Sequence, residues 1–285
     1  MYNLKVNNNC KTDLLLGMQL EKQNCEYTLG YSLEAAIDKG NLKEKQEDAV
    51  IILEHPKDNS IKLLAVADGV SSNGNSEQAS RYLLEDMMYL FETNKYITEN
   101  NNTYNINVFK SRLEKINQEI IRKNMGSATL SMALYNPKET IIFNAGDSRI
   151  YTYKNKTLNQ ETKDDSYVQC LYDQKIVKNK ELMRFHKKSN LITNALGADK
   201  FYININIIPS DYDILLALTD GITDSLSDNE IESIIKKCKN YNLAEVLIEI
   251  AKKTTSYNSI NDNGMYYRKL NGGEDNLSAA VLKRK

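Results

Sequence analysis

Two stretches of the chain share one pattern of apolar and polar residues. Residues 61–67 and 214–218 are almost continuously apolar, and each run is followed by an Asp-Gly pair that begins at Asp68 and at Asp220, respectively. Apolar runs of this length predict strands buried on both faces. A carboxylate at the end of a rigid buried strand can hold a hard cation, and glycine lets a carbonyl approach the same ion. Taken singly, however, each Asp-Gly pair is typical of an ordinary turn.

Other predicted strand ends also carry acidic residues, which favours a shared site over separate turns. These positions are Glu47 and Asp48 before residues 49–53, Asp147 after residues 140–143, and Asp275 before residues 277–282.

The remaining pattern predicts strands that pair locally and helices that come in pairs. Strands are expected at 27–37, in a hairpin at 49–67, in a meander at 128–153, at 201–208 and at the end of the chain. Helices are expected from Ser76, at 108–123 with Phe109 and Ile121 among the inward residues, at 228–238 and at 243–257. Such grouping predicts an α+β fold, a four-layer α/β/β/α sandwich with two antiparallel sheets packed face to face and helices outside.

Length and composition bound the possible functions. No linker divides the 285 residues, so we expect a single domain at 27–285 after an arm at 1–26, which is either irregular or an added edge strand. The formal charge of −1 gives no excess of basic residues of the kind expected in a protein that binds nucleic acid or an anionic membrane. No apolar run is long enough for a signal or a membrane span, so we expect a cytoplasmic protein.

Cysteine and histidine supply little chemistry in this sequence. The four cysteines are scattered without a C-x-x-C pair, which argues against disulfide frameworks and zinc clusters. Neither of the two histidines lies beside a nucleophile motif, and His55 is expected to be a solvated loop residue before Pro56. Chemistry is therefore expected to depend on carboxylates.

Oxygen ligands without histidine or thiolate select Mg²⁺ or Mn²⁺ over zinc or copper. Two such ions would lower the pKa of a water between them and offset charge on a phosphoryl group under attack. The competing interpretations are a single structural calcium site and plain strand-end turns.

The order of the motifs adds a family resemblance. Asp38-x-Gly40-x-x-Lys43-x-x-Gln46-Glu47-Asp48 resembles the opening D-x-G-x-x-R-x-x-N-E-D of the metal-dependent PPM family of protein serine/threonine phosphatases (type 2C), in its compact bacterial form. The later motifs follow in family order at 67–69, 126–129, 146–149, 190–197, 219–221 and 275–276. Each motif is weak alone, but the ordered set is specific.

The resemblance implies roles for individual residues. Asp68 would bridge two Mn²⁺ or Mg²⁺ ions, with Glu47 and the Gly69 carbonyl on one ion and Asp220 and Asp275 on the other. A third, weaker ion would be held by Asp147 with Asp220. Asp48 would hydrogen-bond metal-bound water, and Lys43 stands where the family has a phosphate-binding arginine. Residues 164–197 correspond to a flap beside the cleft.

Departures from the family pattern leave more than one function open. Lysine at position 43 keeps the charge but loses the planar fork of arginine, and Ser71-Ser72 replaces a glycine pair. A solvated surface lysine is an alternative for Lys43. The favoured function is hydrolysis of phosphoserine and phosphothreonine in proteins, opposed by a serine/threonine kinase. The alternatives are a pseudophosphatase that binds a phosphoprotein or signalling partner without turnover, and a dinuclear hydrolase of small phosphoesters.

Overall fold

The computed structural model describes residues 14–15, 21–26, 31–70, 75–93, 104–238, 242–259, 264–267 and 269–284, with backbone alone for the first two ranges. Ser71 and Ser72, and most of the asparagine-rich stretch 94–107, lie outside these ranges.

Sixteen strands are present in the described residues. They are β1 (Leu14–Leu15), β2 (Glu21–Glu26), β3 (Tyr31–Asp38), β4 (Ala49–Glu54), β5 (Lys62–Ala67), β6 (Gly69–Val70), β7 (Ser127–Ala128), β8 (Leu130–Tyr135), β9 (Glu139–Ala145), β10 (Arg149–Lys154), β11 (Thr157–Gln160), β12 (Asn204–Pro209), β13 (Ile214–Leu218), β14 (Thr255–Tyr257), β15 (Lys269–Asn271) and β16 (Leu277–Arg284).

The helices of the described residues are α1 (Ser76–Glu92), α2 (Ile106–Lys123), α3 (Tyr167–Asp173), α4 (Asp220–Thr223), α5 (Asp228–Lys237) and α6 (Leu243–Lys253), with a 3₁₀ helix at Lys180–Phe185. None of these helices combines the length and the apolar character needed to span a bilayer.

The strands form two antiparallel sheets of six. Sheet A has the order β1-β4-β5-β8-β9-β12, and sheet B has the order β11-β10-β13-β16-β3-β2. Two short pairs, β6 with β7 and β14 with β15, stand apart from them. Strands β1 and β2 each add an edge strand, so part of the N-terminal arm joins the sheets, as one of the two alternatives for that arm predicted.

Three buried layers follow from the alternation of side chains along each strand. On β4, Ile51 belongs to the core between sheet A and helices α1 and α2, whereas Ile52 faces the other way, into the core between the sheets. A third core joins the outer face of sheet B to α5 and α6. Successive residues of a strand point to opposite faces, so strands between two apolar layers read as continuous apolar runs. The predicted α/β/β/α sandwich is confirmed.

Several local predictions were wrong. Helix α6 ends at Lys253, and residues 255–257 of the predicted helix form β14 instead. Ile121 of α2 is 41 % exposed and does not face the core. His55 is buried at 2 % exposure, with its ring edge-on to Phe91 and its Nδ1 accepting from the Asp58 N–H at 3.1 Å. The ring thus lies inside the protein and contacts the backbone of its own hairpin turn. A His-Pro pair at a turn does not by itself indicate such burial.

Candidate metal centre

Strand register brings the acidic strand ends of sheet A together. In the antiparallel pair of β4 and β5, Ala49 lies opposite Ala67, so Glu47, Asp48 and Asp68 all leave the sheet at the same end. Each of these residues is tied to a strand that is buried on both faces, and the rigid strands fix where the side chains begin.

Sheet B contributes its own acidic residues at the matching end of the sandwich. Leu218 of β13 lies opposite Ala279 of β16 and opposite Arg149 of β10. Asp220 therefore lies beside the start of β16, where Asp275 precedes the strand. Asp147 lies in the turn from β9 of sheet A to β10 of sheet B, which joins the two sheets at this end.

At the centre, Asp68, Asp147 and Asp220 each place one carboxylate oxygen within 4.8 Å of the other two. Within the described residues, Oδ1 of Asp48, Asp147 and Asp220 is buried without a hydrogen-bond partner. Buried carboxylate oxygens are normally satisfied, so these three oxygens are open to a cation or to its waters. An all-oxygen donor set suits Mg²⁺ or Mn²⁺. The residues present fit such ions.

Electrostatics support the same interpretation. Burial raises the pKa of Asp68 well above its ordinary value, and the charges of Asp48, Asp275 and Asp147 raise it further. Burial, followed by the charge of Asp68, raises the pKa of Asp220 in the same way. Repulsion among buried carboxylates is relieved by a bound divalent cation.

Lys43 points towards the carboxylates of Glu47 and Asp275. Its Nζ lies 2.7 Å from Oδ1 of Asp275 and 3.5 Å from Oε2 of Glu47, with the side chain one-third exposed. Burial by itself would lower the pKa of Lys43, but the charges of Asp275, Asp68 and Glu47 raise it above its ordinary value. The alternative of a solvated surface lysine does not match this position.

Asp48 is held by two hydroxyl groups. Its Oδ2 accepts from Ser278 Oγ at 2.7 Å and from Thr219 Oγ1 at 2.9 Å, whereas its Oδ1 has no partner among the described residues. Burial raises its pKa to about 7, and the charges of Asp275 and Asp220 act in the same direction. One carboxylate oxygen is thus fixed, and the other is left for a ligand or a water.

Gly69 packs where no side chain fits. A Cβ at this position would lie 2.7 Å from the Glu47 carbonyl oxygen and 2.8 Å from that of Ser76, which would force the backbone apart. Its N–H donates to the Glu47 carbonyl at 3.1 Å. The glycine therefore lets β5 and the Glu47 loop approach closely, whereas its role as a carbonyl ligand stays a prediction.

The geometry groups the predicted residues differently from the resemblance in one respect. The close three-oxygen group contains Asp147 and leaves out Glu47 and Asp275, which are instead linked to each other through the ammonium of Lys43. All of the predicted acidic residues nevertheless lie at one end of the sandwich.

Asn276 is a residue to which the sequence argument assigned no role, although it follows Asp275 in a motif. Its Nδ2 donates to the carbonyls of Lys39 at 2.8 Å and Lys45 at 3.0 Å, and its Oδ1 accepts from the Glu47 N–H at 2.8 Å. The side chain is 1 % exposed. One amide thus ties the loop that carries Lys43 and Glu47 to the start of β16.

Asp224 is a second residue that the sequence argument missed. It lines a cleft with Asp147, Asp220 and flap residues that include Ser189. Burial raises its pKa to about 7, opposed by the charge of Arg149. Its place in the sequence, four residues after Asp220 and directly after the end of α4, is the signal that could have found it.

The predicted flap at 164–197 lies against the cluster and is anchored beside it. Asp165 accepts from the Gly146 N–H at 3.2 Å, from Asn194 Nδ2 at 2.8 Å and from the Tyr202 hydroxyl at 2.9 Å. Arg149 pairs with Asp164 at 2.6 Å. The flap is therefore fixed at its base to the turn that carries Asp147.

A groove of about 380 Å³ lies elsewhere, between α5 and α6, and is lined by residues such as Leu226, Ile234 and Val246. It contains none of the predicted site residues. The small polar cleft beside the carboxylates is the better candidate for chemistry, because catalytic sites need convergent polar groups more than volume.

Known proteins resemble the chain over most of its length. The serine/threonine phosphatase stp of Listeria welshimeri is 28 % identical over 265 residues, which cover 88 % of this chain and 95 % of that protein. The structure of serine/threonine phosphatase Stp1 from Staphylococcus aureus has a TM-score of 0.73 at 23 % identity, covering 95 % of this chain and 97 % of that one.

A further structure, the catalytic domain of the serine/threonine protein phosphatase PstP in complex with two manganese ions, has a TM-score of 0.64 at 22 % identity and covers 89 % of this chain and 97 % of that one. At these identities the structural likeness shows the shared fold. The family model described as protein phosphatase 2C matches residues 43–252. Because this match spans well over half of the residues, the chain belongs to the protein phosphatase 2C family of enzymes.

Proposed function

We propose that this protein hydrolyses phosphoserine and phosphothreonine in phosphoproteins at a centre of two Mn²⁺ or Mg²⁺ ions, with a third, weaker ion beside them. The observation that carries the proposal is the convergence of Asp68, Asp147 and Asp220, which place carboxylate oxygens within 4.8 Å of one another. Within the described residues, Oδ1 of Asp147 and Oδ1 of Asp220 are buried without a hydrogen-bond partner. The related PstP domain, which binds two manganese ions, supports the same choice of metal.

The proposed ligand set follows the family resemblance. Asp68 would contact both ions, with Glu47 and the Gly69 carbonyl on the first. Asp220 and Asp275 would complete the second, and Asp147 with Asp220 would hold the third. When bound, the ions supply the lowered pKa of an attacking water and offset charge on the phosphoryl group.

Lys43 is proposed to bind a phosphate oxygen of the substrate. Its ammonium already lies between two carboxylates at the edge of the cluster, and one-third of the side chain is reachable from solvent. A lysine contacts phosphate as a point charge, without the two parallel hydrogen bonds of an arginine. We expect substrate binding to be looser than with arginine at this position.

Asp48 is proposed to orient the attacking water. Its Oδ2 is fixed by Ser278 and Thr219, so its partner-free Oδ1 has a defined direction in which to accept a hydrogen bond. Orientation of the nucleophile lowers the entropic part of the barrier.

The proposed substrates are phosphoproteins, so an opposing serine/threonine kinase is expected. The flap lies against Asp147 and Asp220, and it would shape access for a protein substrate. The nearly balanced charge and scattered cysteines fit a cytoplasmic protein.

The test measures metal binding and turnover in two variants, one altered just after β13 and the other just before it. Asp220→Asn removes a charge after β13, and Asp211→Asn removes an exposed charge before the same strand, where Asp211 pairs with Lys154. We expect Asp220→Asn to lose more than about 100-fold in phosphopeptide hydrolysis and to weaken Mn²⁺ binding in calorimetry. Asp211→Asn should behave as the unaltered protein.

Two results would contradict the proposal. Turnover that persists in EDTA would exclude metal-dependent hydrolysis. Tight Mn²⁺ binding without turnover on several phosphopeptides would instead favour the pseudophosphatase, and preference for nucleotides over phosphopeptides would favour a small-phosphoester hydrolase.

A further inference from the structure

Ser76 makes a contact that none of the motif arguments uses. It is the first residue of α1 and is fully buried, and its Oγ donates a hydrogen bond to Oε1 of Glu47. We propose that Ser76 is a positioning residue that sets which oxygen of Glu47 reaches the metal. This inference rests on the proposed role of Glu47 as a metal ligand.

The backbone of Glu47 is already fixed, which leaves its side chain as the part that needs orientation. Its N–H donates to Oδ1 of Asn276 at 2.8 Å, and its carbonyl accepts from the Gly69 N–H at 3.1 Å and from Ser80 Oγ at 2.5 Å. A glutamate still has three side-chain torsions, so a fixed backbone by itself does not fix the carboxylate. The hydrogen bond from the Ser76 hydroxyl restrains the carboxylate at Oε1.

The two oxygens of Glu47 have different surroundings. Oε1 faces Ser76 inside the protein, whereas Oε2 lies 3.5 Å from Nζ of Lys43 at the edge of the carboxylate cluster. A charge-assisted hydrogen bond to Oε1 is strong enough to hold this orientation. The geometry therefore leaves Oε2 on the side of the other carboxylates, as the Glu47 oxygen that would reach the metal.

Helix α1 strengthens the arrangement. Ser76 stands at its N-terminus, where the partial positive charge of a helix end favours a carboxylate. Ser76 also packs against Gly69, because a Cβ at Gly69 would lie 2.8 Å from the Ser76 carbonyl oxygen. The start of α1, Gly69 and Glu47 are thus in mutual contact.

The test measures Mn²⁺ affinity by calorimetry in the full chain, with thermal unfolding of the metal-free protein beside it. Ser76→Ala is expected to weaken the affinity at least about 10-fold, as loss of an outer hydrogen bond to a ligand does. Ser76→Thr keeps the hydroxyl and should retain more of the affinity. Ser210→Ala is the matched control, because that buried hydroxyl lies 2.7 Å from Thr140 Oγ1 and contacts no proposed ligand.

A double variant separates positioning from general damage. If Ser76 acts through Glu47, Ser76→Ala should cause no further loss of Mn²⁺ affinity in a Glu47→Gln protein. Additive losses would overturn the inference, and so would Mn²⁺ affinity in Ser76→Ala equal to that of Ser210→Ala. Should Ser76→Ala fold poorly, Ser76→Gly gives a second removal of the hydroxyl.

The Glu47→Gln variant also separates the proposed metal site from the proposed positioning role of Ser76. Unchanged Mn²⁺ binding in Glu47→Gln would contradict the proposed metal site itself. Weakened binding in Glu47→Gln with full binding in Ser76→Ala would contradict only the positioning role.

Discussion

The amide of Asn276 offers a sharp test of how the site is held, because one side chain makes three hydrogen bonds to the backbone of a distant loop. Asn276→Ala would leave the Glu47 N–H and the carbonyls of Lys39 and Lys45 without this partner. The side chain is 1 % exposed, so water replaces these bonds poorly.

The expected cost follows from those contacts. Each hydrogen bond contributes about 1 kcal/mol net, and a buried group left unpaired costs about 1–3 kcal/mol. Loss of the amide should therefore lower the free energy of unfolding by roughly 3 kcal/mol or more, which is a large share of a typical total of about 5–15 kcal/mol. The loop that carries Lys43 and Glu47 should also lose its fixed position.

Denaturant unfolding of the metal-free protein measures the first effect, and Mn²⁺ calorimetry measures the second. Asn271→Ala is the matched control, because that exposed amide donates to Glu274 at 2.8 Å and to no other side chain among the described residues. Its effect should stay within about 0.5 kcal/mol. If Asn276→Ala unfolds at the same denaturant concentration as Asn271→Ala, the amide does not hold the loop, and the reasoning from buried hydrogen bonds is refuted.

Two further predictions concern charge. The pKa values of Asp48 and Asp224 are raised to about 7 by burial, so the metal-free folded chain binds more protons than the unfolded chain between about pH 4 and 7. The melting temperature of the metal-free protein should therefore fall as pH rises through this window, and the stabilisation by added Mn²⁺ should grow. A melting temperature in EDTA that rises with pH would contradict this prediction. Lys43→Ala should lower kcat/KM for phosphopeptides by about 10–100-fold, as loss of a charged hydrogen bond does. Lys45→Ala is the control, because the Lys45 side chain is 60 % exposed, and it should leave kcat/KM unchanged. Equal kcat/KM values for the two variants would count against a phosphate contact by Lys43.

The sequence by itself determined the layers of the fold. Apolar runs such as 61–67 needed burial on both faces, and the paired helices needed sheets to cover, so a sandwich was the arrangement that buried them all. It also placed an acidic residue beside each of several buried strand ends. Ordered motifs then indicated the family, which the family match confirmed.

Local errors arose where tertiary contacts decide between two acceptable local structures. His55 was expected in solvent because His-Pro suits a turn, but Phe91 of α1 covers its ring. Residues 255–257 continue a helical pattern, yet they pair with β15. Propensity and period describe only near neighbours, so a partner far along the chain can override them.

Only the tertiary structure decided how the acidic residues share the site. The register that sets Ala49 opposite Ala67, and Leu218 opposite Ala279, is a property of strand pairs separated along the chain. Ser76 and Asn276 become important for the same reason, because each contacts Glu47 across a long loop closure. Residue identity alone shows which groups are carboxylates. The distances between those carboxylates are set by packing between segments that lie far apart in the sequence, so no single segment determines them.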